Sequence, residues 1–195
     1  MATTPNPELR SQRAHRAILD ATFDLAVRKG YAKVTVEAIA AAAGVGKQTI
    51  YRWWPSKAAV ALDALNEKMG PDTEFPDTGD ITADLKTQIG GLARLLTGDV
   101  GPIYRGVIAE AQTDPRIAAA VREIIVEPRI GRCQDRLSLG IAAGQIRADL
   151  PTRTMVEMLY GPVYYRFLLG APEVEVRRSA DLVDPILAGL RPAGS

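Results

Sequence analysis

Thr35-Val-Glu-Ala-Ile-Ala-Ala-Ala-Ala-Gly44-Val-Gly46-Lys-Gln-Thr-Ile-Tyr-Arg-Trp-Trp-Pro-Ser-Lys57 reads as a helix, a tight glycine turn and a second short helix. Thr35 suits an N-cap, because its hydroxyl can accept from an orphan N–H of the first turn. Val36, Ile39, Ala40 and Ala43 follow at helical spacing. Gly44 and Gly46 stop that helix, since glycine takes a left-handed or strained backbone without a Cβ clash. A new helix starts near Lys47, with Ile50, Tyr51 and Trp54 turned to the core. Ala40 is small where two helices joined by a short turn must approach closely. The outward face is then Lys47, Gln48, Thr49, Arg52 and Trp53, side chains that grip phosphates and read base edges in a major groove.

Charge supports that reading by its distribution. The 195-residue chain carries a net charge of only +1. Residues 1–57, however, hold nine Lys/Arg against four Asp/Glu, and the remainder fifteen against nineteen. Such asymmetry is the footprint of a nucleic-acid-binding end joined to a partner domain. Arg10, Arg13, His15 and Arg16 cluster at the start of a helix from about Leu9 to Lys29, where cations can lie along phosphates. Residues 1–8 read as a flexible arm.

Farther along, every apolar pattern is helical. Helices are expected from Ser56 to about Met69, from Ile81 to about Thr97, and then to about Gln112, with a loop over 70–80. Asp114-Pro115 is a strong helix start. Pro128 should kink or break the helix that follows, and Gly144–Pro151 is a turn. The helix from Thr152 to Leu169 is apolar all round, so it must be covered on more than one side. From Pro172 to Leu190, Val176, Ala180, Val183 and Leu187 repeat at spacings of a packing seam. A second copy would cover Met155, Leu159, Val163 and Phe167 with that stripe in a four-helix homodimer interface; the alternative is burial within one subunit.

Other chemistry finds little footing. Gly44-Val45-Gly46-Lys47 lacks the phosphate-loop pattern, since Ala41 and Gln48 stand where glycine and Ser/Thr are required. One histidine and one cysteine make a zinc site or an activated nucleophile hard to assemble. No metal, no cofactor and no enzymatic activity are therefore expected. Cys133 falls at core spacing with Ile130 and Leu137. No apolar run approaches the roughly 20 residues of a membrane span, and the N-terminus is not a signal peptide; a cytoplasmic protein is expected.

Val34-Thr35-Val36, Ile39-Ala40, Ala43-Gly44-Val45, Thr49-Ile50-Tyr51, Trp54 and Ser56-Lys57 together resemble the TetR family of transcriptional regulators over about Arg13 to Leu65. The resemblance implies phosphate contacts from Tyr51 and Lys57, with Thr35, Lys47, Gln48, Thr49 and Trp53 along the DNA surface. Trp53-Trp54 departs from the His or Tyr-Phe of many members, which leaves the operator sequence open. The fold expected is all-α: a three-helix helix-turn-helix domain over 1–57 and a helical bundle over 58–195, with about nine helices. The resemblance also implies a repressor that binds a palindromic double-stranded DNA operator as a homodimer and is released by a small-molecule effector. Tyr104, Ile108, Met155, Met158, Leu159 and Tyr164 are candidate linings for an apolar or aromatic ligand. The alternative is a helical small-molecule-binding or adaptor protein whose helix-turn-helix makes protein contacts.

Overall fold

The computed structural model describes residues 7–70 and 75–191, with side chains from Ser11 onward. The arm expected over residues 1–8 lies largely outside the described residues, and the helix begins earlier than expected, at Pro7. Proline is at ease there, because its missing N–H is one of the helix's orphan donors. The order is α1 (Pro7–Lys29), a 3₁₀ turn (Tyr31–Lys33), α2 (Val36–Ala43), α3 (Lys47–Tyr51), α4 (Lys57–Met69), α5 (Ile81–Thr97) and α6 (Val100–Ala111). Then come α7 (Pro115–Ala120), α8 (Glu127–Ala142), α9 (Thr152–Leu168), α10 (Glu173–Arg177) and α11 (Val183–Leu190). A π-helical turn (Val121–Val126) joins α7 to α8, and a 3₁₀ turn (Arg178–Leu182) joins α10 to α11. Counted as continuous rods, these make the nine helices expected, and no strand occurs among the described residues.

The irregularity expected at Pro128 falls in the turn before it. Proline has no N–H to give and crowds the carbonyl four residues back, and the π-helical turn at Val121–Val126 absorbs that mismatch while α8 runs on.

Two compact units form. The first contains residues up to Lys68 together with Pro102–Ile124. Its core holds Ile18, Ile39, Ile50, Leu62, Leu65 and Val107, all shut off from solvent. Each such side chain contributes roughly 1.5–3 kcal/mol by its burial. The boundary read at residue 57 thus differs from the compact unit, which takes in α4 nearly whole and the segment 102–124.

The second unit holds Met69–Gly101 and the residues from Ile125 on. Here α5 is the central rod, packed against α9, α10, α11 and the 3₁₀ turn between the last two. Asp80 caps it, its carboxylate accepting from the N–H groups of Thr82 and Ala83. An ion pair between Asp84 and Arg136 is sealed inside. Asp84 is 0% exposed and accepts from Arg136 Nη2 at 2.6 Å, Arg136 Nε at 2.9 Å, Thr78 Oγ1 at 2.7 Å and Thr78 N at 3.1 Å. Burial alone would raise its pKa; the Thr78 and Arg136 donors outweigh that and hold the carboxyl below its ordinary value. Tyr160 donates to Gln88 Oε1 at 2.5 Å, and Cys133, a core residue as its spacing suggested, has its thiol pushed up to about 12 by burial.

Helix α9 carries two apolar faces. Met155, Val156, Leu159, Val163 and Phe167 are buried within the unit. Met158, Tyr165, Leu168 and the following Leu169 are 39–69% exposed, and their spacing puts them on one outer stripe. Among the residues expected at a dimer interface, Met155, Leu159, Val163, Phe167, Val176, Val183 and Leu187 are core of this unit and Ala180 is half-buried. The apolar side chains that α9 leaves exposed are the neighbouring Met158, Tyr165, Leu168 and Leu169.

Candidate nucleic-acid interface

The helix-turn-helix is built by its caps. Thr35 Oγ1 accepts from Ala38 N at 3.2 Å, and Gly44 stands in the left-handed region at φ 66°. The Val45 N–H donates to Ala40 O at 3.0 Å and the Gly44 N–H to Ala41 O at 3.4 Å, the paired bonds of a Schellman stop. Gly46 is different: at φ −77° it is ordinary extended backbone, with open space where a Cβ would be. Of these two, only Gly44 needs its glycine for left-handed backbone. Ala40 is 5% exposed, as a close helix crossing requires.

Helix α3 spans five residues, and Trp53 and Trp54 follow it in a turn. Ile50 (0% exposed) and Trp54 (4%) anchor it, and Trp54 Nε1 donates to Asp63 Oδ2 of α4 at 2.6 Å. Tyr51, placed at the core by helical spacing, is instead 52% exposed, where the family resemblance expected a phosphate contact. Thr35, Lys47, Gln48 and Arg52 are exposed beside it, with Thr49 and Trp53 half-buried. Lys47 pairs with Glu37 at 3.2 Å across the exposed surface. Acceptance from its own backbone N–H and from Lys47 holds the Glu37 carboxyl low.

An aromatic cluster ties this surface to α1. The His15 ring lies 4.7 Å from that of Trp54 and 5.5 Å from that of Trp53, and the two indoles meet edge to face at 84°. Arg52 Cζ sits 5.0 Å from the Trp53 ring centroid. Arg13, His15, Arg16 and Trp53 border one open depression of about 720 Å³, so the basic start of α1 joins the reading helix. The aromatic role of His15 was not visible in the sequence, where it stood only as part of a basic cluster.

Lys57 opens α4. Its Nζ lies 4.3 Å from the Tyr31 ring centroid and donates to Tyr31 O at 3.4 Å. Tyr31, 7% exposed, donates its hydroxyl to Glu110 Oε2 at 2.6 Å. Burial first, then the Glu110 carboxylate, pushes the phenol's pKa far up, so it stays a donor. Neither Tyr31 nor Glu110 stood out in the sequence; the one available signal was an aromatic directly after the helix-ending Gly30.

The expected ligand linings are divided. Tyr104 (1% exposed) and half-buried Ile108 belong to the first unit. In the second unit Met155 and Leu159 are packed core, Tyr164 is half-buried, and Met158 is 40% exposed on the outer stripe. A cavity of about 220 Å³ in the first unit is bordered instead by Pro55, Ala59, Leu62 and Ile117, with Asp114 and Arg116. Among the described residues no group of His, Cys, Asp and Glu could hold a metal, and no helix is long and apolar enough to cross a membrane.

Comparison with known proteins agrees with this geometry. Residues 18–64 match the family described as "Bacterial regulatory proteins, tetR family", and residues 75–186 match "Tetracyclin repressor-like, C-terminal domain". The HTH-type transcriptional regulator YdeS of Bacillus subtilis is 36% identical over 182 residues, covering 93% of this chain and 92% of its own. The DNA-binding transcriptional repressor TetR of Mycobacteroides abscessus is 27% identical, covering 94% and 97%. Among solved structures, the TetR family transcription regulator SCO0332 superposes with a TM-score of 0.77 at 34% identity, covering 92% of this chain and 99% of that one. A capped helix-turn-helix with a polar outer face, in an all-helical chain that matches such relatives over more than nine-tenths of its length, makes this chain a member of the TetR family of helix-turn-helix transcriptional regulators.

Proposed function

We propose that the chain is a repressor that binds a palindromic operator as a homodimer and leaves it when a small apolar or aromatic effector binds. In this reading residues 1–57 bind DNA and residues 58–195 dimerise and sense. The observation that carries the DNA half is the outer face of α3 and its flanks. Lys47, Gln48, Tyr51 and Arg52 stand exposed over a base fixed by Ile50 and Trp54, with Arg13 and Arg16 alongside. Charged donors on a rigid short helix suit major-groove reading, and the flanking cations suit phosphates.

The exposed stripe of Met158, Tyr165, Leu168 and Leu169 on α9 supports the dimer, since a second copy would take these side chains from water. Two-fold symmetry then sets the reading heads one helical turn of DNA apart, about 34–36 Å, or a multiple. For the effector, the 220 Å³ cavity is supportive: its walls are mostly apolar, and Pro55, Ser56, Ala59 and Leu62 come from the segment directly after the reading helix. An occupant there would bear on α4. That volume suits a ligand below drug size.

The test is a fluorescence titration of the purified protein against duplex DNA from upstream of its own gene, at two salt concentrations, with excess unlabelled random DNA. The expected result is binding that survives the competitor and weakens steeply with salt, because phosphate contacts release counterions. Should no duplex bind even at low salt, including sequences enriched from a random pool, the DNA reading fails and a protein-contact role takes its place. Candidate effectors are then screened for release of the operator.

A further inference from the structure

The charged end of Lys57, on the proposed DNA surface, is held by a stack of residues reaching α6. Its ammonium faces the Tyr31 ring at 4.3 Å and donates to Tyr31 O at 3.4 Å. Nζ carries three donors, more than that carbonyl takes, so a half-buried but ordered ammonium can still present N–H to a phosphate. The ring is fixed from two further directions. Its hydroxyl donates to Glu110 Oε2 at 2.6 Å, and the α6 backbone presses on its edge at Gly106, where a Cβ would lie 2.6 Å from Tyr31 Cδ1. A phenol that donates to a carboxylate has an electron-richer ring, which strengthens the attraction for a cation over its face.

We infer that Tyr31 and Glu110 are positioning residues for Lys57: they order its ammonium for a DNA phosphate, so that α6 sets the strength of a contact made by the first residue of α4. The inference rests on the DNA-binding reading above. Its chemical logic is preorganisation. A lysine stem is among the most flexible in proteins, and one already ordered loses less freedom when it grips a phosphate. It also gives α6 a specific lever. This helix starts at Val100, in the second unit, and ends at Ala111, in the first, with Gly106 and Glu110 on its Tyr31 side. A shift that draws Glu110 from the phenol loosens the ring and, through it, Lys57.

The test uses the full chain and a mixed-sequence duplex, since phosphate contacts are independent of sequence. Fluorescence anisotropy at about 50 mM salt, and the slope of affinity against salt, are measured for wild type, Lys57→Ala, Glu110→Gln and Tyr31→Phe, and for the latter two combined with Lys57→Ala. Lys57→Ala is expected to weaken binding about 5–10-fold and to lower the salt slope by about one. Glu110→Gln and Tyr31→Phe, each nearly isosteric, are expected to weaken binding about 3-fold in the native background and to change nothing once Lys57 is absent. Equal losses in both backgrounds would mean a merely structural role and would overturn the inference, as would tighter binding by either variant or a silent Lys57→Ala. In each of those cases wild type still binds, so the DNA reading stands. Wild type that binds no duplex overturns both.

Discussion

Replacing Asp84 by asparagine should cost about 3–5 kcal/mol, the penalty for removing one partner from a buried ion pair. The geometry explains the size. Asp84 is wholly buried and receives four donors from Arg136 and Thr78 at 2.6–3.1 Å, while Arg136 itself is only 5% exposed. Asparagine keeps one carbonyl oxygen but turns an NH₂ toward donors, and Arg136 is left with Asp77, an exposed carboxylate at 3.8 Å. Equilibrium urea unfolding followed by helical circular dichroism reads the loss, and a thermal melt should fall by roughly 10 °C for a chain of this size. Because the folded carboxyl is held below its ordinary value, its stabilising share is complete above the unfolded pKa of about 4. It disappears as the solution is acidified through the lower, folded value, so the gap between wild type and Asp84→Asn should close only in acid. The double change Asp84→Leu with Arg136→Met should restore most of the stability, since it leaves no lone charge. A single variant costing less than about 1 kcal/mol, or a double variant as unstable as the two singles summed, would refute this reasoning.

Four other outcomes are expected. Tyr165→Glu with Leu169→Glu should convert the proposed dimer to monomers in sedimentation velocity without unfolding the chain, since both side chains are more than two-thirds exposed; Phe167→Ala, at 1% exposed, should instead cost about 3–5 kcal/mol of stability. Arg52→Ala should lose about 1–3 kcal/mol at one operator base pair, read by competition with single-base operator variants, and unchanged selectivity would remove the base-reading role. Gly101→Ala should destabilise by about 1–3 kcal/mol or more in urea, because its Cβ would lie 2.0 Å from the Leu96 carbonyl oxygen, a backbone atom that cannot swing away.

Local structure was legible in the sequence wherever the deciding forces act over a few residues. Thr35 and Asp114 cap helices as their positions suggested, and Gly44 makes the left-handed stop. Tyr51 shows where periodicity misleads: α3 ends there, after five residues, so the helical wheel that carried Tyr51 inward lacks the length to be reliable. The proposed dimer stripe shows a second limit. The spacing of Met155, Leu159, Val163 and Phe167 marks an apolar face, but whether α5 of the same chain or a partner covers it depends on how distant helices dock. The same holds for Arg136 with Asp84, 52 residues apart, and Tyr31 with Glu110, 79 apart: neither pairing leaves a local trace.

The first unit is discontinuous along the chain, closing only when Pro102–Ile124 joins the residues up to Lys68. During synthesis the helix-turn-helix therefore leaves the ribosome before the segment that supplies Gly106 against the ring of Tyr31 and Glu110 for its hydroxyl. At about 5–20 residues per second that interval lasts several seconds. In it, the nascent reading head has its caps and its tryptophans but not the stack beneath Lys57. The ordering of translation thus withholds a finished first unit, and the ordered ammonium with it, until more than half of the chain exists.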